Sequence, residues 1–241
     1  MNLTKKLLNV GTGVLLPSIL LPSILLTAIL LAAAMQANAT QTLAYFDASS
    51  SAVEYHQNFA QDFEKYVAKA KVGDTFILSR IGLESGNFAP FGTYTLEAPA
   101  KGLSSKRKKE LELEARDDIV TAVPIALKKP TEVDATNIIG ALTSANDYFK
   151  AKNVPPNERV ILLFTDGMEQ SKINKINMAK GIPKSLPPKL ILPVGLNAKV
   201  FMIGIYPPNK AGAQEAMRNF WNQVISKTGS TLEMFLQRFP S

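Results

Sequence analysis

Short apolar runs alternate along the chain with longer stretches in which apolar residues recur every three or four positions. An apolar run bounded by turn residues is typical of a buried strand, and the longer spacing is typical of an amphipathic helix. Strands are predicted at 43–47, 74–81, 159–164 and 199–206, with edge strands at 94–96 and 230–239. Helices are predicted at 52–71, 104–128, 137–150 and 212–228. This alternation predicts an α/β fold, a doubly wound and mostly parallel central sheet with helices on both faces.

Apolar stripes mark one face of the first and the last predicted helix. Residues at such spacing lie on one side of a helix and pack against a core. The first stripe comprises Val53, Phe59, Phe63, Tyr66, Val67 and Ala70. The last comprises Met217, Phe220, Trp221, Val224 and Ile225. We therefore expect these aromatic residues in the core and not as stacking platforms for nucleic-acid bases.

Residues 1–39 differ in composition from the rest of the chain. Two lysines precede an uncharged apolar run over 14–35, and Ala-Asn-Ala at 37–39 matches a signal-peptidase site. We predict a signal peptide at 1–39 and a single domain at 40–241. The alternative is an uncleaved anchor, since an apolar run of this length can span a bilayer. In either case the domain is expected outside the cytoplasm: in the periplasm, anchored at the inner membrane, or secreted.

The composition of the 241 residues excludes several kinds of site. There is no Cys and one His, His56, so disulfide frameworks, thiolate zinc sites, cysteine nucleophiles and His-rich metal sites are ruled out. His56 follows Ser51 closely on the first helix, and no Gly-x-Ser-x-Gly motif surrounds a serine, so we expect a helix-surface or packed residue rather than a catalytic base. The net charge of +7 falls to +5 without the two lysines of the signal, which is compatible with an acidic partner and does not indicate nucleic acid.

A cluster of oxygen-bearing side chains follows the first predicted strand. Asp47, Ser49 and Ser51 form an Asp-x-Ser-x-Ser motif there. The carboxyl end of a parallel strand lies in the crevice where doubly wound folds bind ligands. A carboxylate with two hydroxyls suits a hard cation such as Mg²⁺. Alternatively, Ser49 or Ser51 caps the helix that follows.

Two further residues are expected at the same edge of the sheet. Asp166 follows the 159–164 strand, and Thr136 precedes the third helix. With Asp47, Ser49 and Ser51 they make an oxygen site with an incomplete octahedral shell, suited to Mg²⁺ or Mn²⁺.

These five residues, in this order, resemble the metal-ion-dependent adhesion site of the von Willebrand factor type A domain. The resemblance spans about residues 42–235 and includes Thr165-Asp166-Gly167. One departure is the loop before Thr136, which is often Gly-rich in the family and here contains Asp134. The resemblance implies a doubly wound fold and a role in binding rather than catalysis.

In such sites Ser49 and Ser51 would contact the cation directly, and Asp47 and Asp166 would hold it partly through water. Thr136 would join or leave the shell as its loop moves. An acidic residue of a partner protein would complete the octahedron. The resemblance therefore implies a divalent-cation-dependent protein–protein interaction, which the export signal places in a cell-envelope complex.

A basic segment follows the proposed site. Residues 170–199 contain six lysines and no acidic residue. A basic rim beside the cation would speed the encounter with an acidic partner, or the lysines merely solubilise a long loop. A second basic run, at 106–109, is interpreted as a solvated helix face.

Two other functions remain open. The first is a metal-independent structural subunit of an envelope, secretion or conjugation assembly. The second is a phosphatase-like enzyme that uses Asp47 as its nucleophile, although position 49 carries Ser where such enzymes commonly place a second Asp. We predict no enzymatic activity, no catalytic residue and no nucleic-acid partner, and membrane contact only if the N-terminal segment is uncleaved.

Overall fold

A computed structural model of the protein describes residues 39–81, 89–128, 136–171, 174–206 and 211–240. Residues 1–38 of the predicted export signal, and Asp134 in the loop before Thr136, lie outside these ranges. No helix within the described ranges combines the length and the apolar character needed to cross a membrane.

The core of the fold is a six-stranded sheet. Its strands are β1 (Gln41–Asp47), β2 (Thr75–Ile81), β3 (Gly92–Thr95), β4 (Arg159–Phe164), β7 (Lys199–Ile203) and β8 (Thr231–Leu236). They lie in the order β3-β2-β1-β4-β7-β8. A separate small hairpin is formed by β5 (Gln170–Ser171) and β6 (Ile176–Asn177). All neighbours in the large sheet are parallel except β2 and β3. The predicted mostly parallel α/β sheet is confirmed.

Helices cover both faces of this sheet. They are α1 (His56–Ala68), α2 (Ser105–Leu127), α3 (Ile138–Ala151) and α4 (Ala213–Lys227), with short 3₁₀ turns at Ser50–Tyr55, Pro156–Glu158 and Met178–Lys180. Because successive side chains of a strand point to opposite faces, Leu43 and Tyr45 of β1 pack in the core under α3 and α4. Ala44 and Phe46 pack in the second core, under α1 and α2. The doubly wound arrangement follows from this two-sided burial.

Two stacked aromatic rings lie just before the candidate site. Phe46 and Phe164 are fully buried, with ring centroids 4.8 Å apart and an interplanar angle of 3°. Phe63 of α1 packs edge-on against both of them. This packing holds the carboxyl ends of β1 and β4 in a constant relative position.

The first apolar stripe is only partly as predicted. Phe59, Phe63 and Val67 are fully buried, whereas Val53 is 58% exposed. Val53 lies in the 3₁₀ turn, and α1 begins at His56. The prediction assumed α-helical spacing from Val53 onward. A 3₁₀ segment has three residues per turn, so Val53 does not share the face of the buried residues of α1.

An extended loop, and not a helix, makes up most of the connection from β4 to β7. Among its described residues there is no α-helix. After the hairpin and the last 3₁₀ turn, the loop packs apolar side chains on the core beneath α3 and α4: Ile182, Leu186, Leu190 and Leu192. Lys175, Lys180, Lys184 and Lys189 are exposed along this connection. Lys199 is the first residue of β7, which is parallel to β4, so it lies at the amino ends of the strands and Asp166 lies at their carboxyl ends. The prediction that Lys199 belongs to a basic rim beside the site is therefore wrong.

Candidate metal centre

The candidate site lies where the strand order reverses. From β1 the chain continues to β2 on one side and later to β4 on the other. Asp47 is the last residue of β1, and Asp166 comes two residues after the end of β4. Since the two strands are parallel neighbours, both residues lie at the same edge, at the crevice where doubly wound folds bind ligands.

Hydrogen bonds link all five predicted site residues. The Ser51 hydroxyl donates to Asp166 Oδ2 at 2.9 Å, and the Ser49 and Ser51 Oγ atoms are 3.1 Å apart. Asp47 Oδ1 accepts from the Ser49 N–H at 3.0 Å. Thr136 Oγ1 lies 3.2 and 3.3 Å from the two carboxylate oxygens of Asp47. The structure therefore brings together residues that are up to 119 positions apart in the sequence.

Helix capping does not explain the two serines. Ser49 occupies the N-cap position of the 3₁₀ turn, but its side chain makes no capping hydrogen bond. The N-cap of α1 is Tyr55. The two hydroxyls face each other and Asp166 instead, so the capping alternative is wrong.

The two carboxylates are buried together. Asp47 is fully buried and Asp166 is 4% exposed. Burial, and secondarily the charge of Asp47, raise the pKa of Asp166 to about 6, although hydrogen bonds from Met168 N and Ser51 oppose this. No ion pair between described residues involves either carboxylate. The site therefore carries negative charge that a bound cation would offset.

The oxygen positions fit a small divalent cation. Adjacent ligands in an octahedron around Mg²⁺ lie about 3.0 Å apart, because each lies about 2.1 Å from the ion. The Ser49–Ser51 and Ser51–Asp166 oxygen separations of 3.1 and 2.9 Å are hydrogen-bond lengths that are also compatible with such edges. Within the described ranges no three Asp, Glu or His side chains gather as a possible metal site, so hydroxyls supply much of this donor set.

The comparisons with known proteins concern the fold. No protein-family model matches the chain, and no curated protein sequence matches it significantly. A von Willebrand factor type A structure from Catenulispora acidiphila is similar, with 13% identity and a TM-score of 0.41 over 82% of this chain and 39% of that one. The pilus adhesin SpaC from Lactobacillus rhamnosus GG has 10% identity and a TM-score of 0.45 over 82% of this chain and 28% of that one.

Proximal thread matrix protein 1 from the mussel byssus has 17% identity and a TM-score of 0.40, over 68% of this chain and 37% of that one. The chain thus spans between 28% and 39% of the length of these three structures.

Two residues outside the predicted set hydrogen bond to Asp47, and a third holds the segment that follows Thr136. The Thr165 hydroxyl donates to Asp47 Oδ2 at 2.8 Å, and His56 Nε2 lies 3.0 Å from the Asp47 carbonyl oxygen. The half-buried His56 is thus a packed residue, and burial lowers its pKa. Glu169, the third, is fully buried and holds the start of α3. In the sequence, Thr165 is marked only by its place in the Thr-Asp-Gly triplet. Glu169 is marked only by its position shortly after Asp166.

Gly167 sets the course of the loop after Asp166. Its φ of +83° lies in the left-handed region that favours glycine. A Cβ there would come within 2.8 Å of Met217 Sδ, and the Gly167 carbonyl accepts a 3.0 Å hydrogen bond from Trp221 Nε1. The loop that carries Asp166 is therefore fixed to α4.

A stacked tyrosine pair adjoins the site. The rings of Tyr55 and Tyr206 have centroids 3.7 Å apart at an angle of 8°. The Tyr206 N–H donates to the Asp166 carbonyl oxygen at 3.4 Å, and Asn58 donates to the Tyr206 hydroxyl at 3.2 Å. The partly exposed pair therefore joins the segment that follows Ser51 to the strand end beside Asp166.

Proposed function

We propose that this protein is an exported von Willebrand factor A-like domain that binds Mg²⁺ or Mn²⁺ and, through it, an acidic residue of a partner protein. The ligands are Asp47, Ser49, Ser51, Thr136 and Asp166. The interaction serves a cell-envelope complex, with the domain in the periplasm, anchored at the inner membrane or secreted. The observation that carries the proposal is the set of hydroxyl and carboxylate oxygens that hydrogen bonds bring together at the carboxyl ends of β1 and β4.

The environment of Asp47 supports binding over phosphoryl transfer. A nucleophilic carboxylate must reach its substrate, whereas Asp47 is fully buried. Its oxygens already accept hydrogen bonds from Ser49 N, Thr136 and Thr165. Such a carboxylate is suited to holding a cation partly through water while it orients the hydroxyls around the ion.

One observation favours a metal-independent structural subunit as the second candidate. The side chains of the site hydrogen bond to one another, so part of their polar character is satisfied within the protein. The same contacts could stabilise the strand ends without a cation. Direct measurement of metal binding separates the two functions.

The test is calorimetric titration of the full chain with Mn²⁺ and with Mg²⁺. We expect saturable binding of about one ion per chain, abolished by Asp47→Asn and by Asp166→Asn. Asp74→Asn is the matched control, because Asp74 is also buried and accepts backbone N–H groups, from Thr40 and Lys71, at the other edge of the sheet. Unchanged affinity in Asp47→Asn would refute the ligand assignment, and no binding by the wild type would favour the structural subunit.

The open coordination position has its own test. Water-proton relaxation measured with bound Mn²⁺ reports water that exchanges at the ion. If a partner carboxylate completes the shell, acetate at millimolar concentration should reduce this relaxation by displacing that water. Relaxation that acetate leaves unchanged would contradict recognition of an acidic partner at the ion.

A further inference from the structure

Glu169 is a buried carboxylate beside the candidate site. Its side chain is fully shielded from solvent. Its Oε2 accepts hydrogen bonds from the N–H groups of Ile138 at 2.6 Å and Ile139 at 3.3 Å. These are the first two residues of α3, whose N-terminus favours negative charge.

A second contact joins the same two segments. The Gln170 N–H donates to the Thr136 carbonyl oxygen at 2.8 Å. Asn137 accepts from the Gly140 N–H at 2.8 Å and so caps the helix. The chain around Thr136 is therefore attached to the loop after Asp166 by the backbone of Gln170 and by the side chain of Glu169.

Core packing alone does not account for a carboxylate at this position. Glu169 Oε1 is buried and has no hydrogen-bond partner among the described residues. Burial raises the pKa of Glu169 to about 8, against the opposing effect of the Ile138 and Ile139 N–H groups. A buried carboxylate with one unsatisfied oxygen costs folding free energy, which points to a role other than stabilising the core.

Glu169 holds the helix start that directly follows Thr136 and Asn137. The Thr136 hydroxyl donates to Asp47, and its position depends on where α3 begins. We infer that Glu169 is a positioning residue for Thr136: by holding the first N–H groups of α3, it places the Thr136 hydroxyl over Asp47 and so sets the affinity of the site for a divalent cation. This inference rests on the proposed metal site.

The experiment is a Mn²⁺ titration of the full chain, with thermal unfolding recorded separately for each variant. Glu169→Ala should weaken Mn²⁺ binding at least about tenfold, the effect expected on removal of a group that orients a metal ligand. Thr136→Val should weaken it by a similar factor. The double variant should bind no more weakly than Thr136→Val alone, because Glu169 acts through that hydroxyl.

Conservative variants separate the reach of the side chain from its carboxyl chemistry. Glu169→Gln keeps an oxygen at the position of Oε2 and should retain affinity within a fewfold factor. Glu169→Asp keeps the carboxyl group, but its oxygens are too far from Ile138 N by one methylene, so it should bind more weakly than Glu169→Gln. The opposite order would overturn the positioning role, and this comparison remains available if Glu169→Ala does not fold.

Asp74→Ala is the control for a general loss of stability. It should lower the unfolding temperature without changing Mn²⁺ affinity, because Asp74 holds backbone groups at the other edge of the sheet. Wild-type affinity in folded Glu169→Ala, or additive losses in the double variant, would overturn the inference and leave the metal site intact. Absence of Mn²⁺ binding by the wild type would overturn the proposed function and this inference with it.

Discussion

At the scale of single residues, the ionisation of Asp166 is linked to folding. Burial and then the neighbouring charge of Asp47 raise the pKa of Asp166 to about 6. In the unfolded chain the pKa of an Asp carboxyl group is about 3.9. Since the folded pKa is the higher one, the stability linked to Asp166 is full below about pH 4 and is lost as the pH rises through about 6.

The first prediction is that Asp166→Asn stabilises the metal-free protein at neutral and alkaline pH. In EDTA at pH 8 the free energy of unfolding should rise by up to about 3 kcal/mol, as a shift of about two pKa units implies. Near pH 4 wild type and variant should be equally stable. Urea denaturation at both pH values measures this, and because both proteins retain Glu169, its titration cancels in the difference. A difference that does not change with pH would contradict the prediction.

At the scale of elements, Arg116 joins the two helices on one face of the sheet. From α2 its guanidinium donates to the carbonyl oxygen of Val67 at 2.8 Å and to that of Ala70 at 3.1 Å. Val67 lies in the last turn of α1, where helix carbonyls lack i+4 partners, and Ala70 lies two residues beyond the end of the helix.

The second prediction compares two arginines of α2. Arg116→Met should lower the free energy of unfolding by about 1.5–3 kcal/mol, because it removes charged hydrogen bonds to carbonyls at and just beyond the end of α1. Arg107→Met is the matched control and should cost less than about 1 kcal/mol, since Arg107 forms exposed ion pairs with Glu110 and Glu114. Urea denaturation of both variants measures the difference. If both variants lose the same free energy of unfolding, the hydrogen bonds of Arg116 to the end of α1 do not stabilise the fold more than an exposed ion pair does.

At the scale of the whole molecule, the site joins parts of the chain that are far apart in sequence. Its residues come from the turn after β1, the start of α3 and the loop after β4. A ligand that binds these segments only when they are assembled stabilises the folded state by mass action. Metal binding and global unfolding are therefore expected to be coupled.

The third prediction is that Mn²⁺ at about 100 times its dissociation constant stabilises the fold by about 2.7 kcal/mol. For a domain of about 200 residues this corresponds to a rise in the unfolding temperature of about 5–10 °C. Differential scanning fluorimetry should show the rise in wild type and its reversal by EDTA. Asp47→Asn should show no rise, and a shift of equal size in that variant would place the stabilising ion elsewhere.

Much of the architecture could be read from local pattern, and the reason is physical. Continuous apolar runs such as 159–164 occur because a strand covered on both faces buries every side chain, and the structure confirms this strand and the fold class. The five candidate ligands were found because each lies at a strand end or a helix start, positions that sequence marks by a change from apolar to polar residues. The sequence also suggested an export signal, which lies almost entirely outside the described residues.

Tertiary structure alone decided the contacts between distant segments. The hydrogen bonds from Thr165 to Asp47 and from Ile138 to Glu169 span 118 and 31 positions, and no local pattern encodes such pairs. Val53 is exposed because it lies in a 3₁₀ turn and not in the helix. Lys199 lies far from the site because it begins β7, whose other end faces the site. Periodicity reports which face of an element is buried, whereas the partner of each polar group depends on how the elements pack together.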